Sequence, residues 1–264
     1  MSGEYDLESG PDPATFAAGA AEPDSDERAV DPVYAVGVGP GNQEYLTPRG
    51  RRAIREADVV VGFTTVVEFV ADLTDADLLT CGYKDEAEAL ETFGERVAAG
   101  ESGTAVAMGD PNHSGYQFVG KVQDTVERHD SEIPVRVIPG ISSIQLAASR
   151  ARTPMEDTEF VTLHKSGDLE PDMDRLASAV TDDDRHLLAL PRPYDRMPGD
   201  IAQFLLEEGA DPDLEALVLE KLTHDDEQIH RFTLAELSEH AGGTGSDDTP
   251  FSDLVVLAVR QPVP

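Results

Sequence analysis

Three stretches of this 264-residue sequence place glycine beside groups that could handle a ligand. The first is Gly37-Val38-Gly39-Pro40-Gly41, which follows an apolar run. Glycines there allow close approach of a ligand to the backbone, or simply a tight strand-to-helix turn. A dinucleotide fingerprint does not fit. Its third glycine would fall on Asn42, and Pro40 has no N–H to donate. The next apolar run, Val59-Val60-Val61-Gly62-Phe63, also lacks the acid that would hold a ribose.

The second stretch is Met108-Gly109-Asp110-Pro111-Asn112-His113-Ser114-Gly115. Asp110, with Gly109 clearing space beside it, could accept hydrogen bonds from an amine or attract a cationic group. It could equally cap the turn that follows. The third stretch is Val137-Ile138-Pro139-Gly140-Ile141-Ser142-Ser143. Its two serines stand where a helix begins, so they offer hydroxyls beside free N–H groups, or one of them is only an N-cap.

Other ionisable residues are less organised. The histidines at 113, 129, 164, 186, 224, 230 and 240 show no metal-ligand spacing, and no Ser/His/Asp arrangement is evident. Arg49, Arg51, Arg52 and Arg55 form the densest basic cluster, read either as an anion site or as a solvated helix face. His164-Lys165 follows an apolar run and is better placed for chemistry. The single cysteine, Cys81, excludes an internal disulfide and reads as a small apolar residue at a strand end.

The elements that must carry these loops alternate. Strands are expected at 33–38, 58–61, 77–80, 104–108, 135–138, 159–163, 186–190, 215–220, 229–232 and 253–259. Helices are expected from Thr47, where Pro48 sets the first turn, and at 86–99, 116–128, 141–151, 173–180 and 200–208. Such alternation predicts an α/β fold with largely parallel sheets covered by helices. The strand count exceeds one small sheet, which predicts two α/β domains, 31–139 and 140–264. They follow a disordered acidic tail at 1–30 that carries eight acids and one arginine.

The formal net charge is −33, from 53 acidic and 20 basic residues spread along the chain. That balance disfavours nucleic acid and anionic membrane as partners. It suits a salt-rich cytoplasm, where the screening length shrinks to roughly 3 Å at 1 M. No apolar run approaches the roughly 18 residues of a membrane span, and the N-terminus lacks a signal-peptide layout. A cytoplasmic protein is expected.

Taken together, the three loops and their order resemble the tetrapyrrole (class III) methyltransferases over residues 33–260. Val36 to Gly41, Leu46-Thr47, Gly50, Ala53-Ile54 and Ala57-Asp58 are similar to that family's entry segment. The run Ile138 to Ala148 and Phe160-Val161-Thr162-Leu163-His164 are most similar to the subfamily that methylates C5 of cobalt-precorrin-7 on the way to cobalamin.

The resemblance implies two α/β domains with S-adenosylmethionine in the cleft between them. It implies that Gly109 and Asp110 form the cofactor loop, that Ser142 and Ser143 add contacts, and that Leu190-Pro191 and Glu220-Lys221 meet the adenosyl part. Pro40 would border the tetrapyrrole side, and a homodimer is implied. Methyl transfer asks for alignment and exclusion of water, with no metal and no triad. A precorrin carries many carboxylates, so Lys165 is a candidate point charge and His164 a candidate proton acceptor or acetate anchor. Asn112-His113, where the family has a glycine and an aromatic, and the proline-rich Leu190-Pro191-Arg192-Pro193 depart from the pattern. Rival functions are protein methylation of the diphthine synthase kind and non-catalytic ligand binding on the same fold. Against the former, the characteristic threonine–histidine run after Asp-Pro is missing.

Overall fold

Valine-rich runs build the first sheet. The computed structural model describes residues 31–82, 84–113, 115–165, 167–242, 245 and 247–262, and the expected tail at 1–30 lies outside them. Strands β1 (Val33–Gly37), β2 (Val59–Phe63), β3 (Asp77–Cys81), β4 (Gly103–Ala107) and β5 (Val135–Ile138) are all parallel, in the order β3-β2-β4-β1-β5.

Side chains on successive strand residues point to opposite faces. Val59 and Val61 therefore join one apolar cluster, with Leu90, Phe93 and Val97 of α3 (Glu86–Ala98) and Phe118, Val122 and Val126 of α4 (Tyr116–His129). Val60 joins the other, with Ile54 of α1 (Pro48–Arg55) and Val66, Val67 and Val70 of α2 (Thr64–Val70). Thr47 caps α1, its Oγ1 accepting from the Gly50 amide at 3.1 Å. From β1 the chain passes β4 to reach β2, and from β4 it passes β1 to reach β5, so the connections of these two neighbouring strands diverge. A crevice at the carboxyl ends of such strands is where open α/β sheets bind ligands.

The second sheet comprises β6 (Thr158–Thr162), β7 (His186–Leu190), β8 (Glu215–Glu220), β9 (Gln228–Thr233) and β10 (Val255–Arg260), in the order β6-β7-β10-β8-β9. It corrects the expectation of largely parallel sheets. Only β6 and β7 are parallel, while β10 runs antiparallel to both β7 and β8, and β8 antiparallel to β9. The physical reason lies in the connections. The link 221–227 between β8 and β9 carries no helix to cross the sheet, and a short link joins antiparallel neighbours. Helices α5 (Ser143–Ala151), α6 (Glu170–Thr181), α7 (Pro198–Glu207) and α8 (Leu234–Ser238) accompany this sheet. Met173, Leu176 and Val180 of α6 and Ile201 and Leu205 of α7 pack with Leu187, Val218 and Leu257 of the strands.

The chain divides into two compact units between Ser142 and Ser143. Two short helices escaped the sequence reading. The α2 segment, Thr64-Thr65-Val66-Val67, is rich in β-branched residues that read as strand. The α8 helix is only five residues long, although Thr233 and Glu236 form a capping box before it.

Candidate functional site

At the carboxyl edge of the first sheet the three glycine loops are tied into one junction. The Gly39 amide donates to the Gly109 carbonyl at 3.2 Å, and the Gly109 amide donates to the Gly39 carbonyl at 3.0 Å. The Gly39 N–H is thus spent on the neighbouring loop. One Asp110 carboxylate oxygen accepts from the Asn112 amide at 2.9 Å, and the other from the Gly140 amide at 3.1 Å. Asp110 caps its own turn, as one reading of the sequence had it, and also fastens the loop after β5.

The junction leaves no room for side chains at its centre. A Cβ on Gly37 would lie 2.6 Å from the Gly109 carbonyl oxygen and from the Gly140 amide nitrogen, and one on Gly140 would meet that oxygen even closer. Gly109 adopts φ 64° and Gly39 φ 86°, both left-handed and suited to glycine. Pro40 is half-buried beside them, Ser142 is buried, and Ser143 opens α5.

Asp110 is half-buried, and each of its oxygens accepts one backbone N–H. A carboxylate has about four acceptor sites in all, so capacity remains for an amine or a ribose hydroxyl. That donor and acceptor set fits S-adenosylmethionine. Asp110→Ala is expected to weaken cofactor binding by about 1.5–3 kcal/mol, combining a lost charge-assisted bond with a loosened Gly140 loop. Calorimetric titration checks this; unchanged affinity removes Asp110 from the site.

His113, one of the departures from the family pattern, donates its amide to the Asp110 carbonyl at 3.0 Å. Burial pushes its imidazole below the usual pKa, against the opposing pull of Asp110.

In the second sheet, β6, β7 and β8 end at the edge where β10 begins, because β10 runs against β7 and β8. That edge gathers His164-Lys165, Leu190-Pro191, Glu220-Lys221 and Asp253-Leu254. Backbone bonds tie neighbouring loops, from the Leu163 amide to the Leu190 carbonyl at 2.8 Å and from the Lys221 amide to the Leu254 carbonyl at 2.8 Å. Beyond Pro191 the chain turns tightly, with Tyr194 at φ 58° and Arg192 Nε donating to Asp195 at 2.5 Å. The buried Pro191 and Pro193 lie in that turn. Tyr194, Glu220, Lys221, Gln228 and residues 249–252 line a depression of ≈ 380 Å³.

His164 reaches the surface, yet the surrounding protein desolvates its ring and holds its pKa below the ordinary value, while the Asp253 carboxylate pulls it up. Asp253 acts on two further loops. The Tyr194 phenol is pushed up by burial first and Asp253 second. The Lys221 ammonium is raised chiefly by its 2.5 Å pair with Asp226, with Glu220 and Asp253 adding to it. Neither Asp253 nor Tyr194 stood out in the sequence. The signal for Asp253 is topological, since it lies at the entry of a strand that returns to this edge.

Two candidates are engaged differently from the expectation. The Lys165 ammonium sits 2.6 Å from the Asp172 carboxylate, whose side chain is only 9% exposed. It neutralises a buried acid of α6 and so is not a detached charge awaiting a substrate. Lys165→Ala is expected to cost about 1–2 kcal/mol of stability, less than a fully buried pair because the lysine is half-exposed. Denaturant melts at constant salt read this, and an unchanged midpoint argues that the pair contributes nothing. Glu220 is 8% exposed, and both its oxygens are engaged, one 2.8 Å from His230 Nε2 and one accepting from the Ser252 amide at 2.6 Å. The backbone beside it is engaged too, with the Lys221 amide donating to the Leu254 carbonyl and the Lys221 carbonyl accepting from the His224 amide at 3.0 Å.

The arginine cluster is dispersed. Arg49 lies over the Tyr34 ring at 5.9 Å, and Arg51 donates to the Gln43 carbonyl at 3.0 Å. Arg55 lines a second depression with Asp58, Asp77 and Arg96, beside the amino ends of β2 and β3. Helix α1 runs back along the sheet from the β1 loop, which carries Arg55 away from the carboxyl edge. Among the described residues no helix is long and apolar enough to cross a membrane.

The pattern that defines tetrapyrrole (corrin/porphyrin) methylases matches residues 32–238, and the chain belongs to this family of S-adenosylmethionine-dependent methyltransferases. Its sequence is similar to the probable cobalt-precorrin-7 C(5)-methyltransferase of Methanocaldococcus jannaschii. The two are 28% identical over 206 residues, which cover 78% of this chain and 91% of that protein. Among solved structures, the methyltransferase CobJ matches with a TM-score of 0.70 at 21% identity, covering 88% of this chain and 95% of that one. The uroporphyrin-III C-methyl transferase of Thermus thermophilus complexed with S-adenyl homocysteine matches with a TM-score of 0.63 at 24% identity, covering 87% and 92%. At these identities the structural likeness bears on the fold.

Proposed function

We propose that this chain methylates a ring carbon of a late precorrin, namely C5 of cobalt-precorrin-7, during cobalamin synthesis. The observation that carries the reading is the 28% identity to the Methanocaldococcus jannaschii protein over nearly its whole length. S-Adenosylmethionine supplies an electrophilic methyl on a neutral leaving group. Asp110 binds its polar groups in the space that Gly109 leaves beside it, with Ser142 and Ser143 adding hydroxyl contacts and Pro40 bordering the tetrapyrrole. Leu190, Pro191 and the Glu220-Lys221 segment meet the adenosyl part. His164, whose pKa desolvation by the surrounding protein holds below the ordinary value, takes the proton that the ring releases as its carbon gains the methyl group. A homodimer in a salt-rich cytoplasm accompanies this reading, the dimer on family resemblance and the salt on the charge of −33.

The test is methylation of a set of late precorrins with a labelled methyl group, the product carbon being located by NMR. The expected label is at C5. A label only at another ring position overturns the C5 assignment. Methylation of a protein and of no tetrapyrrole overturns the substrate class.

A further inference from the structure

The two edges of the second sheet are finished differently. On β6, Arg175 donates to the Phe160 carbonyl at 3.1 Å and Arg185 to the Thr158 carbonyl at 2.8 Å. Charged side chains laid over the carbonyls of an edge strand keep another strand from pairing there. On β9 no described side chain does this along the middle of the strand. Its register sets Gln228 opposite Glu220 and Thr233 opposite Glu215 of β8. Just past the strand, the Leu234 amide donates to the Leu214 carbonyl at 2.9 Å. Main-chain groups alternate in direction along an antiparallel strand. Those of residues 228, 230 and 232 therefore face β8, and those of 229, 231 and 233 face outward. The outward Thr233 amide is taken by the Glu236 carboxylate at 2.8 Å, and at the other end the Glu227 amide is taken by the His224 carbonyl at 3.0 Å. Between these two stops, the amides and carbonyls of Ile229 and Arg231 meet no partner among the described residues.

The side chains do not blunt this window. Ile229 is 46% exposed, and Gln228-Ile229-His230-Arg231-Phe232-Thr233 contains no acid, lysine or proline. The Arg231 charge is balanced by Glu215 of β8, 2.8 Å away. On a chain of net charge −33, whose copies repel one another, β9 is a locally neutral line of approach.

We propose that two copies of this chain pair along β9, antiparallel about a two-fold axis through His230, joining their five-stranded sheets into one. In that register Ile229 of each copy lies opposite Arg231 of the other. The open amides of Ile229 and Arg231 in each copy then donate to the open Arg231 and Ile229 carbonyls of the other, and the window is filled by its own complement. The Arg231 stem covers the exposed Ile229 of the other copy. An axis through Arg231 would face two arginines and call on the occupied Thr233 amide, and an axis through Ile229 would call on the occupied Glu227 amide. The proposal goes beyond the reaction: it gives the homodimer named above a surface and does not depend on the substrate.

Sedimentation velocity of the full chain in molar salt, over a range of protein concentrations, reads the association. Ile229→Pro deletes an amide that its own sheet does not use, so the melting temperature should hold while the dissociation constant of the dimer rises at least about tenfold. Ile229→Val keeps that amide and should stay within threefold of wild type. Hydrogen exchange read by NMR on the wild-type chain needs no variant, and it decides the matter if Ile229→Pro fails to fold. The Ile229 and Arg231 amides should gain protection as protein concentration rises, while those of His230 and Phe232 are protected throughout. A monomer at every concentration overturns the proposal together with the homodimer. A dimer whose dissociation constant Ile229→Pro leaves unchanged overturns this edge and spares the homodimer. Protection of Ile229 and Arg231 that is independent of concentration also overturns it, because another segment of the same chain then covers the edge. The position of the methyl label tests the reaction separately from all of these.

Discussion

Gly140→Ala is expected to destabilise the first unit by about 3 kcal/mol and to abolish measurable S-adenosylmethionine binding. The new Cβ would collide with the Gly109 carbonyl oxygen, a backbone atom that cannot rotate aside. Overpacking a filled site costs about 1–3 kcal/mol. Here the clash also pushes apart the Gly140 amide and the Asp110 carboxylate, which adds about a further 1 kcal/mol. Gly82→Ala is the matched control, because its Cβ would meet nothing closer than 3.5 Å. Denaturant unfolding and calorimetry on both variants decide the matter. A Gly140→Ala protein with native stability and affinity would show that the junction can relax, and that its closeness is not what presents Asp110.

His164→Ala should lower kcat by about 10²–10⁴-fold with little change in cofactor affinity, if the imidazole accepts the ring proton. The sign of the pH dependence follows from its environment. Burial depresses the His164 pKa, so the working, neutral base persists to lower pH than an ordinary imidazole of pKa about 6.5 allows. Wild-type kcat should rise with pH through a value below that and level off above it, and the step should vanish in the variant. A rise in KM with kcat intact would instead assign His164 to holding an acetate chain.

The strands were legible because valine runs such as Val59–Val61 leave few alternatives, and the start of α1 was legible in Thr47-Pro48. The positions of the three glycine loops followed from those strands. Which groups the loops present was harder to read. Asp110 stood out in the sequence, but its bond to the Gly140 amide joins residues thirty apart along the chain, and no local pattern encodes it. Lys165 looked available because Asp172, seven residues on, belongs to a helix whose orientation periodicity does not reveal. Glu220 looked like a ligand contact because a carboxylate at a strand end is usually open, whereas His230 arrives from β9 and Ser252 from the approach to β10, strands whose direction is invisible in the sequence. The mixed second sheet has the same origin. Alternation of strand and helix suggests parallel pairing, and only the helix-free 221–227 link hinted otherwise.

Strand β10 occupies the middle of its sheet although it is the last of the five to be made. Until Val255–Val259 has left the ribosome, the β6–β7 pair and the β8–β9 pair cannot join. Leu187–Ala189 and Ala216–Val218, wholly buried in the finished protein, meanwhile lie along unpaired apolar edges. Such edges invite pairing with other nascent chains. The first unit is complete well before this interval begins, so the hazards of synthesis fall on the second unit, and a ribosome that stalls shortly before residue 255 would release a chain with one finished half and one adhesive half.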